Sequence, residues 1–259
     1  MDGYIKLDVF DLVVALGMVV MAISLSRWQR LDLEGSLALA AGRTIVQLIV
    51  VGYILAAVFA IRNPWLVMAV LLVMLSISAI VARNRISKKI PGLLPLVWGS
   101  ILAGSVLPLI YTNLLIIQPQ IWYDPQYVVP LSGIVLGNAM NGATIAGERL
   151  VSALTSSRLE IETHLSLGAT PQQAVRSYRQ DAIRAGMIPT INSMMVIGIV
   201  TLPGIITGQL LSGVTPIDAA AYQILIMFML ALTTMGTTIL VTQGLCRQFF
   251  SQAGQLRSL

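Results

Sequence analysis

The chain has 259 residues, of which 56% are hydrophobic and only 10% are charged. Soluble domains carry about 25% charged residues, and a water-soluble protein of this size could not cover its surface with so few. The apolar residues form long runs rather than the roughly ten-residue alternating segments of an outer-membrane barrel. Composition therefore excludes a soluble globular enzyme and predicts an all-α, polytopic integral membrane protein.

Seven segments are apolar and long enough to cross a hydrocarbon core, for which a helix needs about 20 residues. We predict these transmembrane helices, with ends uncertain by a few residues, at about 9–26, 44–61, 65–82, 93–116, 127–147, 187–211 and 219–246.

Basic residues are distributed unevenly around these spans. Of the sixteen Lys and Arg residues, all but Lys6 and Arg62 fall on one side of the predicted membrane. The positive-inside rule then places the N-terminus outside and the C-terminus in the cytoplasm. The same asymmetry accounts for the net charge of +5 without any nucleic-acid partner.

Few side chains are available as soft metal ligands. Cys246 is the single cysteine and His164 the single histidine, which excludes an intramolecular disulfide and a cysteine-based zinc cluster. The twelve methionines are more often adaptable packing residues than Cu(I) ligands. The sequence leaves any metal ligands unknown and predicts no cofactor bound by this chain.

One cytoplasmic element is large, at about residues 148–186 between spans five and six. A helix should stop at Gly168, because glycine best takes the left-handed conformation that ends a helix. A second helix should begin with Thr170 as N-cap, Pro171 at the first position and Gln173 as the partner in a capping box. The sequence therefore predicts two helices joined by a sharp turn.

Two interpretations of this element are open: a hairpin that only connects two spans, or a docking element for a cytoplasmic partner. We favour docking because an inert helix connection needs only about 2–8 residues. The segment also resembles the coupling segment of ABC-transporter permeases, whose short helix sits in a groove of the ATPase, and Glu162 and Gly168 match its Glu-to-Gly spacing. The candidate coupling residues are Glu162, His164, Leu167, Gly168, Ala169, Thr170, Pro171, Gln172 and Gln173.

Spans five and six contain polar and helix-breaking residues. Asn138 and Asn141 are costly in lipid and should face protein, water or a pathway. Pro203 and Gly204 predict a kink or discontinuity, of the kind that transporters use for sites and hinges. Helix packing or subunit pairing is an equally open interpretation of these residues. The candidate path or gate residues are Asn138, Met140, Asn141, Pro203, Gly204 and Gln209.

Three blocks carry a resemblance to a known family: Pro130-Leu-Ser-Gly-Ile-Val-Leu-Gly-Asn-Ala-Met-Asn, His164-Leu-Ser-Leu-Gly-Ala and Leu202-Pro-Gly-Ile-Ile-Thr-Gly-Gln-Leu-Leu-Ser-Gly. They resemble the Fet-type iron-export permease family, which also includes the membrane subunit of the plant aluminium-tolerance transporter. The resemblance extends over nearly the whole chain.

This resemblance implies a single transmembrane permease domain over residues 1–259 in the cell inner (plasma) membrane. It implies an ABC exporter in which two permeases pair with two separate ATPase subunits, which bind ATP and Mg. The chain itself has no G-x-x-x-x-G-K-[ST] phosphate loop. The implied cargo is iron or a related metal, and a permease for a nucleotide sugar or another small molecule is the alternative.

Two further function classes are weighed against the exporter. An ion-coupled secondary carrier commonly has ionisable residues near the bilayer midplane, and here no acid lies in the middle of a predicted span. An intramembrane enzyme would need a nucleophile–base pair or a metal motif, and the sequence contains neither. We therefore predict a permease and not an enzyme.

Overall fold

A computed structural model describes residues 8–61, 63–251 and 254–256. Three basic residues of the orientation argument, Lys6, Arg62 and Arg257, lie outside this part of the chain. Every regular element among the described residues is a helix. Packing divides the chain into two compact units, one ending at Asn63 and the other beginning at Pro64. The single domain expected over residues 1–259 stays a prediction.

The first unit consists of helices α1 (Val9–Gln29) and α2 (Glu34–Ile61), which pack against each other. Asp8 and Asp11 form a capping box at the start of α1, in which the Asp8 backbone N–H donates to the Asp11 carboxylate at 2.8 Å. Helix α2 begins ten residues before the predicted span at 44, because helical structure continues beyond the apolar stretch that the membrane requires.

The second unit is built around two long helices, α5 and α10. Its elements are α3 (Pro64–Ile86), α4 (Leu93–Tyr111), a π-helical turn (Thr112–Ile117), α5 (Pro125–Ser156), α6 (Arg158–Ser166), α7 (Pro171–Ala174), α8 (Arg176–Val196), α9 (Gly204–Leu211) and α10 (Pro216–Phe249). Helix α10 packs on α4, α5 and α8, and α3 packs on α4 and α5. Small side chains such as Ala139 and Ala143 are fully buried where these helices meet.

Among the described residues, six helical segments are long and apolar enough to cross a membrane: Phe10–Gln29, Glu34–Ile61, Pro64–Ile86, Leu93–Ile117, Pro125–Ser156 and Pro216–Phe249. They coincide with six of the seven predicted spans, so the predicted all-α, multi-span membrane fold is confirmed. The remaining predicted span, 187–211, is divided between α8 and α9. The exact number of spans and the orientation stay predictions.

Candidate functional site

The predicted sixth span is interrupted in its middle. Helix α8 ends at Val196 and α9 begins at Gly204, with seven non-helical residues between them. Two residues explain the interruption: Gly198 has a positive φ of +79°, and Pro203, the N-cap of α9, lacks a backbone N–H. A discontinuity was predicted at Pro203 and Gly204, and the structure shows it extending back to Gly198, whose role the sequence analysis missed.

The backbone of this interruption, residues 197–203, is only partly hydrogen-bonded. The Gly198 N–H donates to the Thr201 carbonyl at 2.9 Å, and the Val200 N–H donates to the Val196 carbonyl at 2.9 Å. No described residue donates to the carbonyls of Gly198, Ile199 or Val200. At membrane depth such groups are tolerated only where protein or water covers them.

A cavity of about 590 Å³ lies beside the interruption, between α5, α8 and α10. Its polar lining comes from Asn138, Thr190, Ser193, Thr201 and Gln223. Isoleucines and a leucine supply most of the remaining wall, at Ile134, Ile197, Ile205, Ile226 and Leu230. None of the residues that line this cavity is ionisable.

Two amide side chains define the hydrogen-bonding character of the cavity. Gln223 is only 4% exposed, and its Oε1 has no hydrogen-bond partner among the described residues. Asn138 uses its Nδ2 to donate to the Ile134 carbonyl at 3.0 Å, which leaves its Oδ1 as an acceptor. Both amides therefore carry an oxygen to which no described residue donates a hydrogen bond.

The cavity is closed on one side by contacts between glycine and threonine residues. A Cβ added to Gly186 would lie 2.9 Å from the Gly142 carbonyl oxygen and 2.8 Å from Cγ2 of Thr238. A Cβ on Gly142 would lie 2.6 Å from Cγ2 of Thr234. Helices α5, α8 and α10 therefore meet without a gap at this level.

The predicted path residues do not all reach the cavity. Asn138, Pro203 and Gly204 line it together. Asn141 is exposed one turn further along α5, at the level where the glycine contacts close the space between α5 and α8. Met140 packs against the larger hydrophobic core.

Gln209 also lies outside the cavity lining, on α9, with its Oε1 unpartnered among the described residues. Four polar lining residues were not among the predicted path residues: Thr190, Ser193, Thr201 and Gln223. The signal for Gln223 was an amide in the otherwise apolar start of span seven, which should have been weighed as Asn138 was.

The turn between α6 and α7 has the geometry that the sequence predicts. Helix α6 ends at Ser166 and Gly168 follows with φ +92°. Thr170 is the N-cap of α7: its Oγ1 accepts from the Gln173 N–H at 3.3 Å, and its N–H donates to Gln173 Oε1 at 2.9 Å. This turn, residues 167–170 together with α7, is called the coupling turn below.

The separate cytoplasmic element is shorter in the structure than the predicted range of about 148–186. Helix α5 continues to Ser156 and α8 begins at Arg176, so only residues 157–175 form an element distinct from the two long helices. The second predicted helix is interrupted at Val175, between α7 and α8.

The coupling turn is attached to the bundle on one side and exposed on the other. Ala174 and Val175 are buried in the larger hydrophobic core. The predicted coupling residues His164, Leu167, Gly168, Thr170, Gln172 and Gln173 are exposed, whereas Glu162, Ala169 and Pro171 are half-buried. Glu162 accepts from Arg158 at 2.8 Å in a surface ion pair. Desolvation by burial raises the pKa of the Tyr178 hydroxyl, near Ser157 and Glu160, above its ordinary value.

Two exposed leucines lie on α6 and at its end. Leu159 is 80% exposed and Leu167 is 83% exposed. Their separation of eight residues places them on the same side of a helix. We call this pair the leucine face.

The described residues contain no group of three or more His, Cys, Asp or Glu side chains that could hold a metal ion. The metal ligands left unknown by the sequence are therefore not supplied by such a cluster in this part of the chain.

Comparison with known proteins gives consistent matches along the chain. The profile of the uncharacterised protein family UPF0014 matches residues 9–250. The UPF0014 membrane protein slr1647 of Synechocystis is 54% identical over 252 residues, which cover 97% of each chain. The probable iron export permease protein FetB of Escherichia coli is 35% identical over 246 residues, 95% of this chain and 93% of its own. Protein ALUMINUM SENSITIVE 3 of Arabidopsis thaliana is 31% identical over 245 residues, 94% of this chain and 88% of its own.

No solved structure matches the chain significantly. The relatives confirm the resemblance stated from the sequence blocks. They also confirm that the chain is a membrane transport component rather than an enzyme, since the Escherichia coli relative is named a permease.

Proposed function

This chain belongs to the UPF0014 family of membrane proteins, and on that premise we propose that it is the permease subunit of an ABC exporter. Two copies pair with two separate ATPase subunits in the cell inner (plasma) membrane. The ATPases bind ATP and Mg, because this chain lacks a phosphate loop. Iron or a related metal is the proposed cargo, on the strength of the name of the Escherichia coli relative.

The leucine face is the observation that carries the proposal of a cytoplasmic partner. Leu159 and Leu167 project from an element whose other exposed residues are polar or glycine, and which lies between two long helices. Burying a leucine side chain is worth about 1.5–3 kcal/mol, so a partner surface that covers both gains several kcal/mol. An ATPase groove is the partner that the ABC-permease resemblance of this segment favours.

Helix α8 supplies the mechanical connection in this proposal. It begins directly after the coupling turn and ends at the interruption beside the cavity. At 1.5 Å per residue its 21 residues span about 32 Å. A displacement of the coupling turn by the ATPase would therefore be delivered to the cavity through one helix, with Asn138, Pro203 and Gly204 at its far end.

Pairing of two permeases is supported by the exposed interruption. Ile199 is 86% exposed and Val200 is 76% exposed, next to carbonyls without described hydrogen-bond donors. Lipid cannot satisfy those carbonyls, whereas a second copy or a water-filled space between copies can. We therefore assign the face that carries Ile199 and Val200 to the contact between the two permeases.

The proposal is tested by purifying the tagged chain from its native membranes in mild detergent. We expect an ABC ATPase to co-purify at one copy per permease and to hydrolyse ATP. The double variant Leu159→Ser and Leu167→Ser should lose the ATPase while it retains its own folded, membrane-inserted state. The matched control replaces two exposed serines at the end of α5, Ser152→Ala and Ser156→Ala, and should retain the ATPase.

A chain that purifies alone in several detergents, with no ATP hydrolysis, would contradict the ABC assignment. An ion-coupled secondary carrier would then be the better description. Retention of the ATPase by the double leucine variant would leave the transporter class intact but remove the leucine face from the docking surface.

A further inference from the structure

We infer that the cavity beside the interruption binds an uncharged organic molecule that carries hydrogen-bond donors, rather than a bare metal ion. The inference rests on the proposed function, because it identifies this cavity as the place where the cargo sits. It adds the chemical class of the cargo. Iron would then cross this site only inside a neutral complex whose ligands form the contacts with the protein.

Gln223 lines the cavity and carries an unpartnered hydrogen-bond acceptor. Its Oε1 is buried without a donor among the described residues, and leaving such a group unpaired costs free energy. Asn138 lines the same cavity and carries a second amide oxygen to which no described residue donates, while its Nδ2 donates one of its two hydrogens to the Ile134 carbonyl. Two acceptors at one site call for a ligand that offers O–H or N–H donors.

The residues that line the cavity carry no charge. The polar groups of the lining are amides and hydroxyls, at Asn138, Thr190, Ser193, Thr201 and Gln223, and no carboxylate, imidazole or thiolate accompanies them. Transition-metal sites in proteins use those three ligand types, and an unpaired ion in an apolar surrounding carries a large desolvation penalty. The single thioether, that of Met227, does not replace them.

The size and the apolar surface of the cavity also fit an organic molecule. The cavity of about 590 Å³ lies within the range of about 300–1,000 Å³ that is typical of small-molecule sites. Ile226 and Leu230, which follow Gln223 on the same side of α10, supply apolar wall beside the polar groups, as organic ligands require.

The test uses the purified complex of the full chain with its ATPase. Four probes are compared by ligand-dependent thermal stabilisation and by stimulation of ATP hydrolysis. They are ferrous ion alone, anionic ferric citrate, the neutral tris(acetohydroxamato)iron(III) complex and sucrose. The hydroxamate complex carries iron inside an uncharged shell with N–H donors, and sucrose is an uncharged, hydroxyl-rich solute without iron. A comparison of these two neutral probes therefore shows whether the cavity prefers a metal chelate or an organic molecule.

We expect at least one neutral probe to bind and stimulate, and neither ferrous ion nor ferric citrate to do so. Gln223→Leu should weaken binding of that neutral probe by about tenfold. Met227→Leu, a change of similar size in the same cavity that removes no hydrogen bond, should leave binding unchanged. Ser193→Ala, at an exposed position of the lining, gives a second variant that removes a hydroxyl without disturbing the core.

The inference is overturned if ferrous ion alone binds and Gln223→Glu strengthens that binding, as expected for a cation site. It is also overturned if neither neutral probe responds, or if their binding is the same in Gln223→Leu and Ser193→Ala as in the unmodified chain. Co-purification of an active ATPase is measured in the same samples. Failure of this inference with an ATPase present therefore leaves the proposed function standing.

Discussion

Replacing Gly186 by alanine tests the packing that closes the cavity. The added Cβ would lie 2.9 Å from the Gly142 carbonyl oxygen, 2.8 Å from Cγ2 of Thr238 and 3.0 Å from Cβ of Ala146. Ordinary contacts between carbon atoms lie at about 3.5–4.0 Å, so α8 must move away from α5 and α10 by roughly half an ångström or more. The Gly142 carbonyl belongs to the backbone of α5, so it cannot turn aside as a side chain would.

The expected loss of stability follows from that separation. Overpacking a well-packed core typically costs about 1–3 kcal/mol. Alanine in a helix interior regains up to about 1 kcal/mol relative to glycine. We therefore expect Gly186→Ala to lower the free energy of unfolding by about 1–2 kcal/mol.

The assay is unfolding of the purified chain in mixed micelles, followed by circular dichroism as denaturing detergent is added. The matched control is Gly99→Ala on α4, where an added Cβ meets no atom within 4 Å. The control should be as stable as the unmodified chain or slightly more stable. Equal stability of Gly186→Ala and Gly99→Ala would refute the close approach of α8 to α5 and α10.

Three further substitutions examine the turns of the proposed coupling route. Gly168→Val forces a β-branched residue into a left-handed backbone with φ +92° and should preserve ATP hydrolysis while abolishing transport. Gly168→Asn should retain much of the coupling between ATP hydrolysis and transport. Unchanged transport by the valine variant would contradict the role of Gly168 in coupling. Thr170→Val removes the capping box of α7 and should weaken ATPase retention in the pull-down, since a lost N-cap costs about 1 kcal/mol. Exposed Ser152→Ala on α5, outside the coupling turn, is the unaffected control. Gly198→Ala strains the positive φ in the interruption without any steric contact, and ATP-driven transport should fall while the ATPase stays bound; normal transport by this variant would show that the local backbone conformation is not needed.

Local backbone chemistry was predictable from the sequence, and the coupling turn shows why. A glycine in the left-handed region, a capping threonine and a proline at the first helical position each act over four residues or fewer. Their geometry therefore does not depend on the rest of the fold, and the structure has it as predicted at Gly168, Thr170 and Pro171. Apolar run length likewise located the membrane-crossing helices, because hydrocarbon thickness sets a minimum length.

The residues that line the cavity were harder to predict from the sequence. Asn138 and Asn141 look equivalent in the sequence, but the packing of the helices places Asn138 on the cavity lining and leaves Asn141 exposed. Gln223 lies on a helix far away in the chain, and its role depends on how α10 meets α5. The ends of α2 and α5 were also missed, since a helix that leaves the apolar region carries no hydropathy signal.

The proposed function requires that this permease moves cargo at the expense of ATP. The most direct measurement is uptake of radioactive iron, supplied as ferrous ion and as the neutral tris(acetohydroxamato)iron(III) complex, into inside-out membrane vesicles that contain the chain and its ATPase. We expect uptake that requires ATP, is stopped by vanadate and survives a proton ionophore. Uptake that proceeds without ATP and collapses with the ionophore would contradict the proposed function.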